Sequence, residues 1–258
     1  MTRIIAVTNQ KGGVGKTTTA VNLAACLALK ERRVLLVDCD PQGNASSGLG
    51  INRKRLKQCT YNMLIEGTPA QNIVVKTRLE KLDMIPATIQ LAGAEVELAT
   101  RENRELCLKN ALEPISSQYE YILLDCPPSL GLLTINAMVA SNSIIIPLQC
   151  EYYALEGLSQ LADTIYLVRK KLNPRLKIEG IVMTMFDGRT NLSIQVVDQV
   201  KRYFNKELYK TIIPRNIRLS EAPSHGEPIV TYDPRSKGAE VYTELATEVL
   251  RRAEKRAW

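Results

Sequence analysis

The stretch richest in reactive side chains is Asn9-Gln10-Lys11-Gly12-Gly13-Val14-Gly15-Lys16-Thr17-Thr18-Thr19. Glycines at 12, 13 and 15 let a backbone curl until successive N–H groups point inward, and a helix starting at the end of such a turn adds positive potential. That combination cradles phosphate. The chain from Lys11 through Gly12, Gly13, Val14, Gly15, Lys16, Thr17 and Thr18 would wrap a nucleotide's phosphates, with Lys16 on the β/γ-phosphates and the Thr17 hydroxyl on Mg²⁺. The plain alternative is a glycine turn carrying two solvated lysines. The flanking elements favour phosphate: an apolar, β-prone run at residues 4–8 comes before, and a helical pattern at residues 18–29 follows.

The spacing departs from the ordinary G-x-x-x-x-G-K-[ST] loop. Counting back from Gly15-Lys16-Thr17, the first glycine falls on Gln10, and a second lysine, Lys11, stands before Gly12-Gly13. This resembles the deviant Walker A box of the ParA/MinD group of P-loop ATPases, where the additional lysine points at a nucleotide held by a partner subunit.

Two further strands must bring carboxylates to this loop. Residues 33–38 read as a continuous apolar strand ending in Asp38-Cys39-Asp40-Pro41-Gln42-Gly43-Asn44, and residues 121–125 as another ending in Asp125 before Cys126-Pro127-Pro128. Apolar runs of this kind are buried on both faces of a parallel sheet. Carboxylates at their C-terminal ends sit where a doubly wound sheet opens its ligand crevice. Asp-x-Asp there suits Mg²⁺ held through water and the orientation of an attacking water, and Asp125 suits the Walker B carboxylate. Either motif alone would be an ordinary strand-ending turn.

The rest of the chain alternates strands with helices. Strands are expected at 82–86, 143–148, 178–184 and 209–213, and helices at 61–65, within 89–115, at 155–172, up to 204 and from about 238 to 257. Residues 214–218 read as a loop. Without repeats or low-complexity linkers, residues 1–258 read as a single α/β domain: one doubly wound, mostly parallel sheet with helices on both faces. Six scattered cysteines without a C-x-x-C pair argue for reduced thiols rather than zinc or disulfides. No signal peptide fits and no apolar run reaches membrane-spanning length, so a cytoplasmic protein is expected. The net charge of +7 is uneven: residues 169–218 hold twelve Lys/Arg against four Asp/Glu, and the remainder 22 against 23. A basic segment in a neutral body suggests a polyanion-binding face.

With these residues in view, the chain is similar to the chromosome-type ParA (Soj) family over nearly its whole length. The similarity is carried by residues 9–19, 37–48, 85–97, 125–136, 150–160, 189–192 and 213–226. The resemblance implies an ATP- and Mg²⁺-dependent switch for chromosome or plasmid partitioning. ATP would close monomers into a sandwich homodimer that binds double-stranded DNA non-specifically on the nucleoid. Hydrolysis stimulated by a ParB/Spo0J-like protein would reset it. By motif, Lys11 is the lysine acting in trans, Gly12 lies where the dimer faces meet, and Asp40 positions the hydrolytic water. Asp125 joins Thr17 and Asp40 around the metal, Pro214 and Asn216 flank the adenine, and Arg189 and Arg218 contact DNA.

Three rivals are weaker. A MinD-like membrane-associated ATPase would need a C-terminal amphipathic helix. The apolar stripe Ala246, Val249, Leu250, Ala253 and Trp258 against Arg251, Arg252, Lys255 and Arg256 is small and is expected to pack on the domain, without stable membrane insertion. Iron–sulfur relatives of the same box would need cluster cysteines, whereas Cys126 reads as a small apolar residue. A DNA-binding module without hydrolysis is disfavoured by Lys16, Asp40 and Asp125 together. With the loop starting at residue 9, no helix-turn-helix is expected ahead of it, and His225 is expected to serve local hydrogen bonding.

Overall fold

The computed structural model describes residues 2–151 and 154–256. Its strands are β1 (Arg3–Val7), β2 (Val34–Asp38), β3 (Val75–Lys76), β4 (Leu82–Ile85), β5 (Tyr121–Asp125), β6 (Ser143–Gln149), β7 (Lys177–Phe186) and β8 (Leu208–Pro214). They form one eight-stranded sheet in the order β3-β4-β2-β5-β1-β6-β7-β8. Every pairing is parallel except that of β3 with β4. All five residues of both β2 and β5 are buried, as continuous apolar strands between two helical layers must be.

Alternation along the strands feeds two cores. Ala6, Leu35, Val37, Ile122 and Leu124 face one, under helices that include Leu132–Ala140, Ala154–Lys171 and Asn191–Phe204. Ile5, Val7, Val34, Leu36 and Leu123 face the other, under Lys16–Leu29 and the C-terminal helix Lys237–Arg256. Most expected elements lie within a few residues of their places. In Ala154–Lys171 the stripe Leu158, Leu161, Ile165 and Val168 is buried, with Ala162 beside it half-buried.

The structure revises several expectations. The two-residue β3 is too short to leave a period in the sequence, and residues 62–66 form a π-helical turn. The loop expected through 218 contains a helix, Ile217–Glu221, because the Asn216 side chain caps it by accepting from Arg218 N at 2.8 Å. The C-terminal stripe is spent on packing: Ala246 and Val249 are fully buried and Leu250 and Ala253 partly so. Trp258 lies outside the described residues. No helix among them is long and apolar enough to cross a membrane.

Arg252, expected on the solvated side of that stripe, turns inward. The register between β7 and β8 slips twice, and side chains of the C-terminal helix take up the slack. Glu248 accepts from the N–H groups of Lys210 and Thr211 at 3.0 and 3.1 Å and from the Thr211 hydroxyl at 3.0 Å. Arg252 donates to Glu248, to the Glu207 and Leu208 carbonyls of the β8 approach and to Glu179 O, and lies 4.0 Å over the Tyr209 ring.

Candidate active site

The loop after β1 is pinned from three sides. Asn9 accepts from Lys11 N at 3.0 Å and donates to Pro147 O at 2.8 Å, and Thr184 at the end of β7 donates to Val14 O at 2.9 Å. Gly13 and Gly15 have φ of 75° and 86°, the left-handed region that side chains resist. At Gly15 an added Cβ would meet nothing closer than 3.8 Å, so backbone conformation, not crowding, demands glycine there. The helix Lys16–Leu29 starts immediately after it.

Lys16 is 6% exposed, and its ammonium bends back to donate to Lys11 O at 2.8 Å. Burial pulls its pKa down, opposed by the nearby Asp125 and Asp40 carboxylates. Lys11 goes the other way: its ammonium forms an ion pair with Glu151 beyond β6, and 41% of its side chain is exposed. The two lysines of one loop are thus aimed at different places.

Asp38 and Asp125 end β2 and β5 as register partners. Asp38 is fully buried and held by Ser46, whose N–H and hydroxyl donate at 2.9 and 2.7 Å, and by Asp40 N at 3.2 Å. Burial outweighs these donors and pushes its carboxyl up to about 6. Asp40, 6% exposed, accepts from Gln42 N at 2.9 Å. Asp125 is fully buried, and neither of its oxygens makes a hydrogen bond of ordinary geometry. Burial and then Asp38 raise its pKa well above the carboxylate range, with the Thr17 hydroxyl beside it pulling the other way.

A buried carboxylate without a partner is costly unless a cation completes it. The residues present fit Mg²⁺: Thr17 and Asp125 would hold it, with Asp40 nearby. No group of three His, Cys, Asp or Glu among the described residues could hold a metal by itself. That suits a magnesium ion kept by water and phosphate rather than an all-protein cage. Cys39 and Cys126, beside these carboxylates, are buried, and burial raises both thiols, so they stay protonated. All six cysteines are free.

A cavity of about 550 Å³ opens beside the loop, walled by Gly15, Thr18, Met185, Pro214, Asn216 and Ile217 among others. Met185 holds φ of 50°, a strained conformation for a side chain with a Cβ, at the cavity wall. Pro214 and Asn216 therefore stand with Gly15 and Thr18, although the Asn216 oxygen is committed to its helix cap.

Arg189 and Arg218 lie outside this site, in the segments following β7 and β8. Each carries its own counter-ion. Arg189 forks onto Asp187 at 2.6 and 2.9 Å; Arg218 pairs with Glu221 at 2.9 Å and Asp233 at 3.4 Å. The imidazole of His225 lies on the Tyr232 ring, centroids 4.8 Å apart. Sequence reasoning missed Glu151, Thr184 and Met185, and it left Asp38 without a role of its own. The Asp-x-Asp spacing was the one signal available for Asp38.

The fold and this loop define a P-loop nucleoside triphosphatase with a second lysine in its phosphate loop. A family model described as an AAA domain matches residues 2–178. The sporulation initiation inhibitor protein Soj of Bacillus subtilis is 64% identical over 249 residues, covering 96% of this chain and 98% of that protein. The chromosome partitioning protein ParA of Myxococcus xanthus is 58% identical, covering 97% and 88%. The chain belongs to the ParA/Soj family of chromosome-partitioning ATPases. Among solved structures, cobyrinic acid a,c-diamide synthase from Mycobacterium smegmatis with bound ADP and magnesium superimposes with a TM-score of 0.86 at 38% identity, covering 98% of this chain and 96% of that one.

Proposed function

We propose that the chain is a nucleotide-dependent partitioning switch. It binds ATP with Mg²⁺, pairs face to face with a second copy, holds duplex DNA without sequence preference and returns to monomers on hydrolysis stimulated by a ParB-like protein. The observation that carries this reading is the divergence of the two lysines. Lys16 lies over its own loop, whereas Lys11 points out toward Glu151, where a second molecule can approach. Gly12 beside it is exposed, and a Cβ added there would meet only Pro128, at 3.9 Å, so nothing within the chain requires a glycine. A close-approaching partner would.

On this reading Lys16 exchanges the Lys11 carbonyl for phosphate oxygens, and the N–H groups from Gly12 to Thr18 complete the cradle. Mg²⁺, when bound, neutralises charge on the β- and γ-phosphates. Asp40 orients the attacking water, and Pro214 and Asn216 flank the base in the adjoining cavity. Lys11 of the second copy supplies charge to the transition state, so chemistry waits for the dimer as it would for an arginine finger. The M. smegmatis relative, described with ADP and magnesium, supports the choice of ligands. Arg189 and Arg218 serve the DNA backbone after releasing their acidic partners, and the dimer then sits on the nucleoid in the cytoplasm.

Light scattering of wild type and Asp40→Ala tests the reading. Both should be monomeric with ADP and dimeric with ATP–Mg²⁺, and Asp40→Ala should stay dimeric on DNA after wild type has turned over. Monomers in every nucleotide state would overturn it.

A further inference from the structure

Besides Arg252, which is paired with Glu248, four cations unpaired among the described residues converge on a groove that the nucleotide site does not use. Lys201 on the helix Asn191–Phe204, Lys206 in the turn after it, Lys210 on β8 and Arg251 on the C-terminal helix line a cavity of about 680 Å³. All four are exposed, and among the described residues none has an acidic partner within ion-pair distance. The carboxylate in the wall, Glu248, is consumed by Lys210 N, Thr211 and Arg252. Arg189 and Arg218, by contrast, arrive already neutralised.

The plainer account is that cations collect at helix C-termini to oppose the dipole. It covers Lys201, which lies in the last turn of its helix. It does not cover Lys206 or Lys210, which lie in a turn and a strand. Three separate elements deliver positive charge to one concavity, and that is the form a phosphate backbone fits.

The groove sits at the start of β8, and Arg218 follows its end. Seven residues of strand span about 23 Å, roughly seven base steps of a duplex. We propose that this groove is a second seat for the backbone of duplex DNA, complete within one subunit and present before dimerisation. The proposal rests on the DNA-binding reading above and sharpens it. Nucleotide would not create the DNA site; dimerisation would join two preformed weak seats, and affinity would rise by bivalency.

The test is fluorescence anisotropy of two labelled duplexes of unrelated sequence across a salt series, with ADP–Mg²⁺ and with ATP–Mg²⁺. Wild type should show weak, salt-sensitive binding with ADP and tight binding with ATP. Lys201→Ala/Arg251→Ala should abolish the ADP-state binding and make the slope of log K against log salt shallower by about 2 for each groove engaged, equally for both duplexes. Lys201→Arg/Arg251→Lys should retain the wild-type slope, which a merely structural role would not predict from charge alone. If wild type binds DNA and the alanine pair leaves both slope and ADP-state binding unchanged, the groove proposal falls while the switch stands. If wild type binds no DNA in any state, the functional reading itself falls. Groove-dependent binding to phosphatidylglycerol vesicles without any groove-dependent DNA binding would also overturn the proposal.

Discussion

Removing the Glu248 carboxylate tests how the nucleotide-side strand β8 is held. In Glu248→Ala the Lys210 and Thr211 N–H groups and the Thr211 hydroxyl lose an acceptor at 3.0–3.1 Å, and the half-buried Arg252 loses its counter-ion at 3.0 Å. A hydrogen bond to a charged group contributes about 1.5–3 kcal/mol, and an abandoned buried charge costs a similar amount again. Because these losses share one carboxylate and water can reach Lys210, we expect about 3–5 kcal/mol in all. That corresponds to a fall in Tm of roughly 6–20 °C for a chain of this size. Glu248→Gln, keeping one acceptor, should lose about half as much.

The sign with pH is set by the carboxyl itself. Burial pushes its pKa up, but the Lys210 and Thr211 donors and Arg252 outweigh that and hold it below the ordinary 4.5. A depressed carboxylate stabilises the fold above its unfolded-state pKa, and that contribution is lost as pH falls through the native value. The gap between wild type and Glu248→Gln should therefore be full at neutral pH and narrow below about pH 4. Urea unfolding followed by circular dichroism at several pH values measures both. A Glu248→Ala loss under about 0.5 kcal/mol, the level of an ordinary surface substitution, would refute the reasoning.

Lys16→Ala should weaken ATP binding by at least about 10-fold, since it removes a charged donor from the phosphate cradle; isothermal titration showing wild-type affinity would remove Lys16 from the site. Gly15→Ala meets no steric block but must hold φ of 86°, so a cost of about 1–2 kcal/mol is expected, read as loss of both Tm and nucleotide affinity. Arg189→Ala/Arg218→Ala should weaken DNA binding equally across sequences while light scattering still finds ATP-dependent dimers. An unchanged salt slope in that variant would leave the groove beside β8 as the DNA contact.

The phosphate loop was legible because its chemistry is local: strand, glycine turn and helix follow one another within residues 3–29. Asp125 and the Asp38–Asp40 pair were legible because each closes a continuous apolar run, and parallel pairing then brings their ends together. The Lys11–Glu151 pair was not, since its members lie 140 residues apart and only the β1–β6 adjacency joins them. Charge counting over residues 169–218 treated as one surface what the chain's zigzag separates. Arg189, Arg215 and Arg218 follow the ends of β7 and β8, whereas Lys177 opens β7 and Lys201 and Lys206 precede β8. The Asn216 cap was hidden because an Asn before an apolar residue reads equally well as loop.

The position of β1 has a consequence for synthesis. Its two neighbours in the sheet are β5 and β6, so Arg3 pairs with Tyr121, and Ile5 with Ser143. The strand that launches the phosphate loop is thus the first of the described strands to be made and the one that waits longest for its neighbours. At ribosomal rates of about 5–20 residues per second, some 6–24 s pass before its first neighbour exists. Over that interval the helix Lys16–Leu29 can form locally, but the loop has no Pro147 or Thr184 to fix its shape. A nascent chain arrested before β5 should therefore fail to capture nucleotide, and the same chain released past β7 should acquire that ability abruptly. The site matures only after the chain has been made through β7, when Pro147 and Thr184 are both in place.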